Sequence, residues 1–282
     1  MHPLLRLVRL NNTVVSFVGT IVGGLAALGA GIPLGGATWA TLLLAAGSTA
    51  CVTAGGNVLN DVRDVASDRT NHPDRPLVTG AIRLETARAL VVILLAVAAL
   101  LIVPLAVAHP VLPLILVSAI AAVVGYEFRW KSRGLVGNAL VAYLTAAVFL
   151  YGAAAVNETL VVLAFAAMAF GATLSREIIK DMEDAAGDVE RSTLPRVYGM
   201  SVAGAGARVA VAAAITLSPV PLATFLPWGS AAAIMYLALV IAADALFVVS
   251  VARLPRDLHR EQSISKGAMT VALLAYLATA FR

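Results

Sequence analysis

Four oxygen-bearing side chains, Asn57, Asp61, Asp64 and Asp68, follow one another at the spacing i, i+4, i+7, i+11. On a helix that spacing keeps all four on one face, with Asn60 beside them. Glu177, Asp181, Asp184 and Asp188 repeat it, and the segments NDVRDVASD and KDMEDAAGD share Asp-x-x-Asp-x-x-x-Asp. Like charges so placed oppose helix formation, and the cost grows beside an apolar phase unless cations compensate. One such set reads equally well as a solvated helix end neutralised by Arg63, Arg69 or Lys180. Two sets with matched spacing read better as divalent-cation sites. Hard oxygen ligands, one or two carboxylates to an ion and a substrate phosphate to complete the shell suit magnesium. His2, His72, His109 and His259 are dispersed, so the chain lacks the His/Cys cluster that zinc prefers.

Arginines surround both sets. Metal ions bridging carboxylates to phosphates, with Arg or Lys on the remaining oxygens, would hold a diphosphate between the sets. A hydrophobic tail on that diphosphate could lie among apolar helices, so the expected chemistry is transfer of a prenyl group from a lipid diphosphate.

The elements that must position these residues are apolar. Of 282 residues, 60% are hydrophobic and 13% charged, with a mean hydropathy of +0.91. Soluble domains carry about 25% charged residues. The chain therefore reads as an all-α, multi-spanning membrane protein forming one domain over residues 1–282. Spans of about 20 apolar residues are expected at roughly 13–31, 38–61, 84–108, 111–127, 135–155, 159–182, 199–217, 229–252 and 266–281. GIPLGG, HPVLP and SPVPLATFLP mark connections. TIVGG and GAGAR suit close helix packing. Cys51 is the only cysteine, which excludes an intrachain disulfide, and the N-terminus lacks the cleavage site of a signal peptide.

Eighteen of the twenty basic residues, all but Arg208 and Arg282, fall before the first span or in alternate connections. By the positive-inside rule that side, with the N-terminus and both acidic sets, is expected to be cytoplasmic, and the C-terminus outside. The same residues account for a pI near 9.5 without any nucleic-acid partner. The expected surroundings are a cell-membrane bilayer, and no obligate protein partner is called for.

Taken together, NDxxDxxxD at Asn60–Asp68, NxPxRP at Asn71–Pro76 and DxxDxxxD at Asp181–Asp188 resemble the motifs of the UbiA superfamily of intramembrane prenyltransferases. The resemblance runs through the whole chain. It implies an all-helical fold around a central cavity and magnesium-dependent transfer of a prenyl group from its diphosphate to an acceptor. It places Asn60, Asp64 and Asp68 in a first metal motif with Asp61 beside them, and Asp181, Asp184 and Asp188 in a second. Arg75, Lys131 in YEFRWKSRGLVGN, and Tyr151 match positions that contact substrate. LVRLNNTVVSFVGTIVGG, with Arg9 and Asn12 three apart, is most similar to the branch that makes archaeal-type ether lipids. That branch implies geranylgeranyl diphosphate as donor and geranylgeranylglyceryl phosphate as lipid acceptor. An aromatic acceptor, as in quinone biosynthesis, is the alternative within the family. A cation-coupled transporter is the alternative outside it, although its acids would stand nearer mid-membrane.

Asp64, central in its set, is expected nearest the proton that the acceptor loses, with Asn60 and Asp184 completing the catalytic group. Asn57, Arg69 and Lys180 are expected to contact substrate. Arg9, with Asn12, is expected to hold the acceptor phosphate away from the aspartates. Arg208 and Asp244, the charges deep within the spans, are expected to pair, because buried charges in a membrane need partners.

Overall fold

The computed structural model describes residues 2–29, 35–185 and 192–282. A short helix α1 (Pro3–Leu7) precedes α2 (Leu10–Leu28), α3 (Gly36–Asn71), α4 (Leu84–Ile102), α5 (Val111–Gly125), α6 (Leu135–Ala154) and α7 (Thr159–Asp184). Then come the short α8 (Leu194–Tyr198), α9 (Met200–Leu217), the short α10 (Val220–Thr224), α11 (Ala231–Ala252) and α12 (Leu258–Ala278). Nine helical segments among the described residues are long and apolar enough to span a membrane, and they coincide with the nine expected. The protein is an all-helical, multi-pass membrane protein.

Two boundaries differ from expectation because a polar helix continues past its apolar part. α3, with 36 residues, is about 54 Å long at 1.5 Å per residue, against a hydrocarbon layer of about 30 Å. Its last four turns therefore stand clear of the apolar layer and carry the first acidic set. α12 begins at Leu258, about two turns before the expected start, because LHREQSIS is helical but not apolar.

Successive spans pack as neighbours, and α12 returns to α2, which closes a ring. At the end away from the motifs, Arg282 caps the C-terminal turn of α2, with Nη2 donating to the Ala27 carbonyl at 2.9 Å. α2 also leans on α6, where small residues let the backbones meet. A Cβ added to Gly152 would overlap the Thr20 carbonyl and lie 2.7 Å from the Gly24 nitrogen. In a membrane such contact must come from packing, because lipid tails are as apolar as the side chains they replace.

The expected pairing of Arg208 with Asp244 does not form. Arg208 Nη1 donates to the Val251 carbonyl at 3.5 Å, and Asp244 accepts from Ser218 Oγ at 2.7 Å. These contacts set the register of antiparallel α9 and α11, with residue 208 facing 251 and 218 facing 244. Arg208 thus stands ~10 Å nearer the motif side than Asp244, at 1.5 Å per residue. The motif end of α9 overshoots the end of α11 by about two turns, an offset that counting from each helix end ignores.

Overpacking a tight contact costs about 1–3 kcal/mol. Gly152→Ala is therefore expected to lower the melting temperature of the purified protein in detergent. Gly36→Ala, where a Cβ meets nothing within 4 Å, is expected to leave it unchanged or slightly raised.

Candidate active site

The last turns of α3 present their acids to a set of cations drawn from three other segments. Arg9, at the N-cap of α2 with a left-handed φ of 49°, donates from Nη2 to Asn60 Oδ1 and Asp61 Oδ1, both at 2.8 Å. Such a backbone conformation costs a non-glycine residue about 1–3 kcal/mol and persists where surrounding contacts hold it; these two bonds do so. Arg75, in the loop after α3, bridges Asp61 at 3.0 Å and Asp68 at 2.5 Å. Lys131 Nζ donates to Asp64 Oδ2 at 2.6 Å and to Glu127 Oε2 at 3.1 Å.

Glu127 was not among the residues expected from the sequence. It lies in a π-helical turn, Tyr126–Trp130, that continues α5; the Lys131 N–H donates to the Tyr126 carbonyl at 2.8 Å. A π turn inserts one residue into the helical ladder and commonly marks a functional site. Glu127 is buried, and its Oε1 accepts from Asn60 Nδ2 at 2.8 Å. The signal in the sequence was its position four residues before Lys131, the spacing of a helical ion pair. Asn138 is the second omission: its Nδ2 donates to Asp181 Oδ2 at 2.7 Å. The connection between these elements is tied down by the Ser192 N–H, which donates to the Ser132 carbonyl at 3.1 Å.

Exposure separates the acids. The side chains of Asp61 and Asp68 are 5% and 6% exposed, whereas that of Asp64 is 27% exposed. Asp64, Asp68 and Asp184 line a cavity of about 1710 Å³, while Asp61 and Asp181 lie behind it. Arg9, Asn12, Asn57, Asn60, Arg75, Lys131, Tyr151 and Lys180 also line it. Asn57 also donates to the Val8 carbonyl at 3.0 Å, and Tyr151 shares a hydrogen bond with Ser48 at 3.1 Å. Arg69 does not reach the cavity: it follows Asp68 on the helix, is turned off the shared face and is exposed. Asp188 lies outside the described residues. Arg9 is not set apart from the aspartates as expected, but rests on Asp61.

Below the polar rim the cavity is mostly apolar, with Val52, Leu116, Val148, Phe149 and Met168 in its wall beside Thr49, Thr53 and Asp244. At about 1710 Å³ it exceeds the ~300–1,000 Å³ of a site for one small molecule. Among the described residues no three His, Cys, Asp or Glu side chains converge on one point. The donors are nevertheless all oxygen, and a magnesium ion commonly takes one or two carboxylates and completes its shell with substrate phosphate and water. Asp64 and Asp184, exposed on facing helices, fit that pattern.

Residues 16–274 match the UbiA prenyltransferase family. The chain is 38% identical to digeranylgeranylglyceryl phosphate synthase of Halobacterium salinarum over 279 residues, covering 97% of this chain and 95% of that protein. It is 38% identical to the synthase of the same name from Methanoculleus marisnigri over 251 residues, covering 86% and 83%. Among solved structures, one from work on digeranylgeranylglyceryl phosphate synthase in membranes superposes with a TM-score of 0.80 at 29% identity, over 99% of this chain and 97% of that one. A UbiA homologue from Archaeoglobus fulgidus, bound to DMAPP and Mg2+, has a TM-score of 0.68 at 17% identity over 97% and 99%, a likeness of fold.

Removing a side chain that orients metal ligands typically lowers affinity 10–100-fold. Glu127→Ala leaves Asn60 and Lys131 without their common acceptor. It is expected to weaken Mg2+ binding, in the presence of inorganic pyrophosphate, by at least tenfold in a calorimetric titration. Glu85→Ala, on the exposed first turn of α4, is expected to leave that affinity unchanged.

Proposed function

The chain belongs to the UbiA prenyltransferase family, and on that premise we propose that it transfers a geranylgeranyl group from geranylgeranyl diphosphate to geranylgeranylglyceryl phosphate, forming the second ether bond of an archaeal-type membrane lipid. The observation that carries this reading is one cavity with carboxylates from α3 and α7 at its polar rim and an apolar interior large enough for two lipid chains. The relatives named above support the choice of acceptor, since their similarity extends over nearly the whole chain. The transporter reading has lost its ground: the acids stand at helix ends and the family is one of enzymes.

In the transfer, the bond between the allylic carbon and the diphosphate oxygen breaks and its electron pair leaves with the diphosphate. A glycerol hydroxyl oxygen forms the new bond to that carbon and loses its proton. Arg75 and Lys131 offer donors to the oxygens on which negative charge grows, the kind of preorganised stabilisation that lowers such barriers most. Magnesium, when bound, supplies further positive charge against the diphosphate, with Asn60, Asp64, Asp68, Asp184 and Asp188 as the residues that would hold it. Asp61 and Asp181 act behind them: Asp61 orients Arg9 and Arg75, and Asp181 is fixed by Asn138. Asp64 is the acid nearest the open cavity on α3 and the candidate to receive the acceptor proton. The apolar wall keeps water from the allylic cation. The basic connections support a reading with the site on the cytoplasmic side and the C-terminus outside.

Asp64→Asn and Asp184→Asn are each expected to lower turnover at least a hundredfold, and chelation of divalent cations to abolish it. The assay is extraction of labelled lipid after incubation with radiolabelled geranylgeranyl diphosphate and either geranylgeranylglyceryl phosphate or 4-hydroxybenzoate. Product from the glycerol lipid alone is expected. Product from 4-hydroxybenzoate alone would assign the enzyme to the aromatic branch, and full activity without metal would remove the metal role.

A further inference from the structure

An enzyme that joins a prenyl diphosphate to a phosphorylated lipid must hold two anions in one cavity without letting them repel each other out of reach. Arg9, Arg75 and Lys131, on the α3 side, are already engaged by Asp61, Asp68, Asp64 and Glu127. Of the other cations that line the cavity, Arg63 stacks on the Phe128 ring and Arg129 is exposed, whereas Arg176, Lys180 and Lys266 gather on the opposite wall.

That wall is formed by α7 and α12, which pack against each other. Glu183 of α7 accepts from Gln262 Nε2 at 2.9 Å and lies 3.0 Å from His259 Nδ1. These contacts set the register of the antiparallel pair, with residue 183 facing 259 and 262. Arg176, Lys180 and Glu183 are spaced i, i+4, i+7, so they share one face of α7. His259, Gln262 and Lys266 are spaced i, i+3, i+7, so they share one face of α12. One turn inward from the Glu183 contacts, Lys266 therefore stands level with the stretch between Arg176 and Lys180, across the seam. All three line the cavity.

Their pairing differs from that on the α3 side. Arg176 Nη1 bonds Glu177 at 2.6 Å. The side chains of Lys180 and Lys266 make no hydrogen bond or ion pair to any described residue. Further along the same stripes the lining turns apolar, with Met269, Leu273 and Tyr276 on α12 and Ala172 and Met168 on α7. A basic head over an apolar slot has the shape of a phosphorylated lipid with its chain pointing inward. Basic residues that only set topology would sit in a connection, whereas Lys266 is in its ninth position along α12 and faces the cavity.

The geometry points to Lys266, with Lys180 and Arg176, as the subsite for the phosphate of the acceptor lipid, whose chain lies along the wall of α7 and α12. The inference rests on the proposed phosphorylated acceptor and adds where that phosphate is held. Three cationic side chains suit a dianion, because its oxygens can each accept a charge-assisted hydrogen bond. Asp184 lies four residues after Lys180 on the same helix, so the subsite adjoins the second acidic set and brings the acceptor hydroxyl towards the allylic carbon. The acceptor phosphate then lies beside the α7 carboxylates with cations of its own, distinct from Arg75 and Lys131, which serve the diphosphate.

The test is steady-state kinetics on the full-length protein in nanodiscs with both substrates varied. Lys266→Ala is expected to raise the KM for geranylgeranylglyceryl phosphate at least tenfold while the KM for geranylgeranyl diphosphate changes less than twofold. Lys266→Gln is expected to do the same, and Lys266→Arg to recover most of the loss. With the dephosphorylated acceptor, geranylgeranylglycerol, the wild type and Lys266→Ala are expected to have the same KM, a result that a merely structural role would not give. An unchanged KM for the phosphorylated acceptor, or equal rises for both substrates, would overturn the subsite while leaving the proposed reaction standing. A wild-type enzyme that does not prenylate the glycerol phosphate at all would overturn both.

Discussion

Carboxylates at the edge of a hydrocarbon layer need positive charge beside them, since an isolated ion there costs several kcal/mol. The interaction on which this structure depends is the lattice that meets that need: Asp61 and Asp68 on Arg75, Asp61 on Arg9, and Asp64 and Glu127 on Lys131. It draws on the N-terminal segment, the loop after α3 and the π turn after α5, so it joins parts of the chain that the ring of helices alone leaves separate. Four carboxylates meet three cations there, and Asp61 lies behind the cavity while Asp64, Asp68 and Glu127 face it with Arg9, Arg75 and Lys131. Carboxylates and cations presented together suit a metal ion arriving with a diphosphate better than either alone.

The helices supply precision. α2 and α6 approach closely enough at Gly152 and Gly24 for their backbones to touch, which fixes α2 within the ring. The π turn adds a residue where α5 ends, and Glu127 sits between Asn60 and Lys131 as a result. α7 and α12 meet through Glu183, His259 and Gln262, so the opposite wall is held by contacts outside the cavity. Acids engage Arg9, Arg75 and Lys131 on the α3 side and Arg176 on the other wall, whereas the side chains of Lys180 and Lys266 have no hydrogen bond or ion pair to a described residue. The asymmetry separates a place for the diphosphate from a place for a second anion.

Much of this was legible in the sequence, and the reason is periodicity. The nine spans follow from runs of apolar residues, and the acidic faces from spacings that a helix turns into stripes. Reading failed where the answer depends on how helices are offset from one another. Arg208 and Asp244 looked level because each was counted from its own helix end, yet α9 overshoots α11. Arg9 looked free because nothing local pairs with it; its partner Asp61 is 52 residues away. For Glu127 the sequence offers only its spacing of four from Lys131, and the π turn that carries it has no sequence signature. Arg69 follows Asp68 in the chain but not on its face, since adjacent positions on a helix point about 100° apart.

On the proposed mechanism, ion and diphosphate complete this site together, neither finding a finished cage alone. The most direct measurement is calorimetric titration of Mg2+ into the wild-type protein with and without geranylgeranyl S-thiolodiphosphate, an analogue that resists cleavage. Coupling between two ligands is reciprocal, and 1–3 kcal/mol corresponds to about 5–150-fold in affinity. The account predicts that the analogue tightens Mg2+ binding at least tenfold and that Mg2+ tightens binding of the analogue by the same factor. Equal Mg2+ affinity in the presence and absence of the analogue would contradict it.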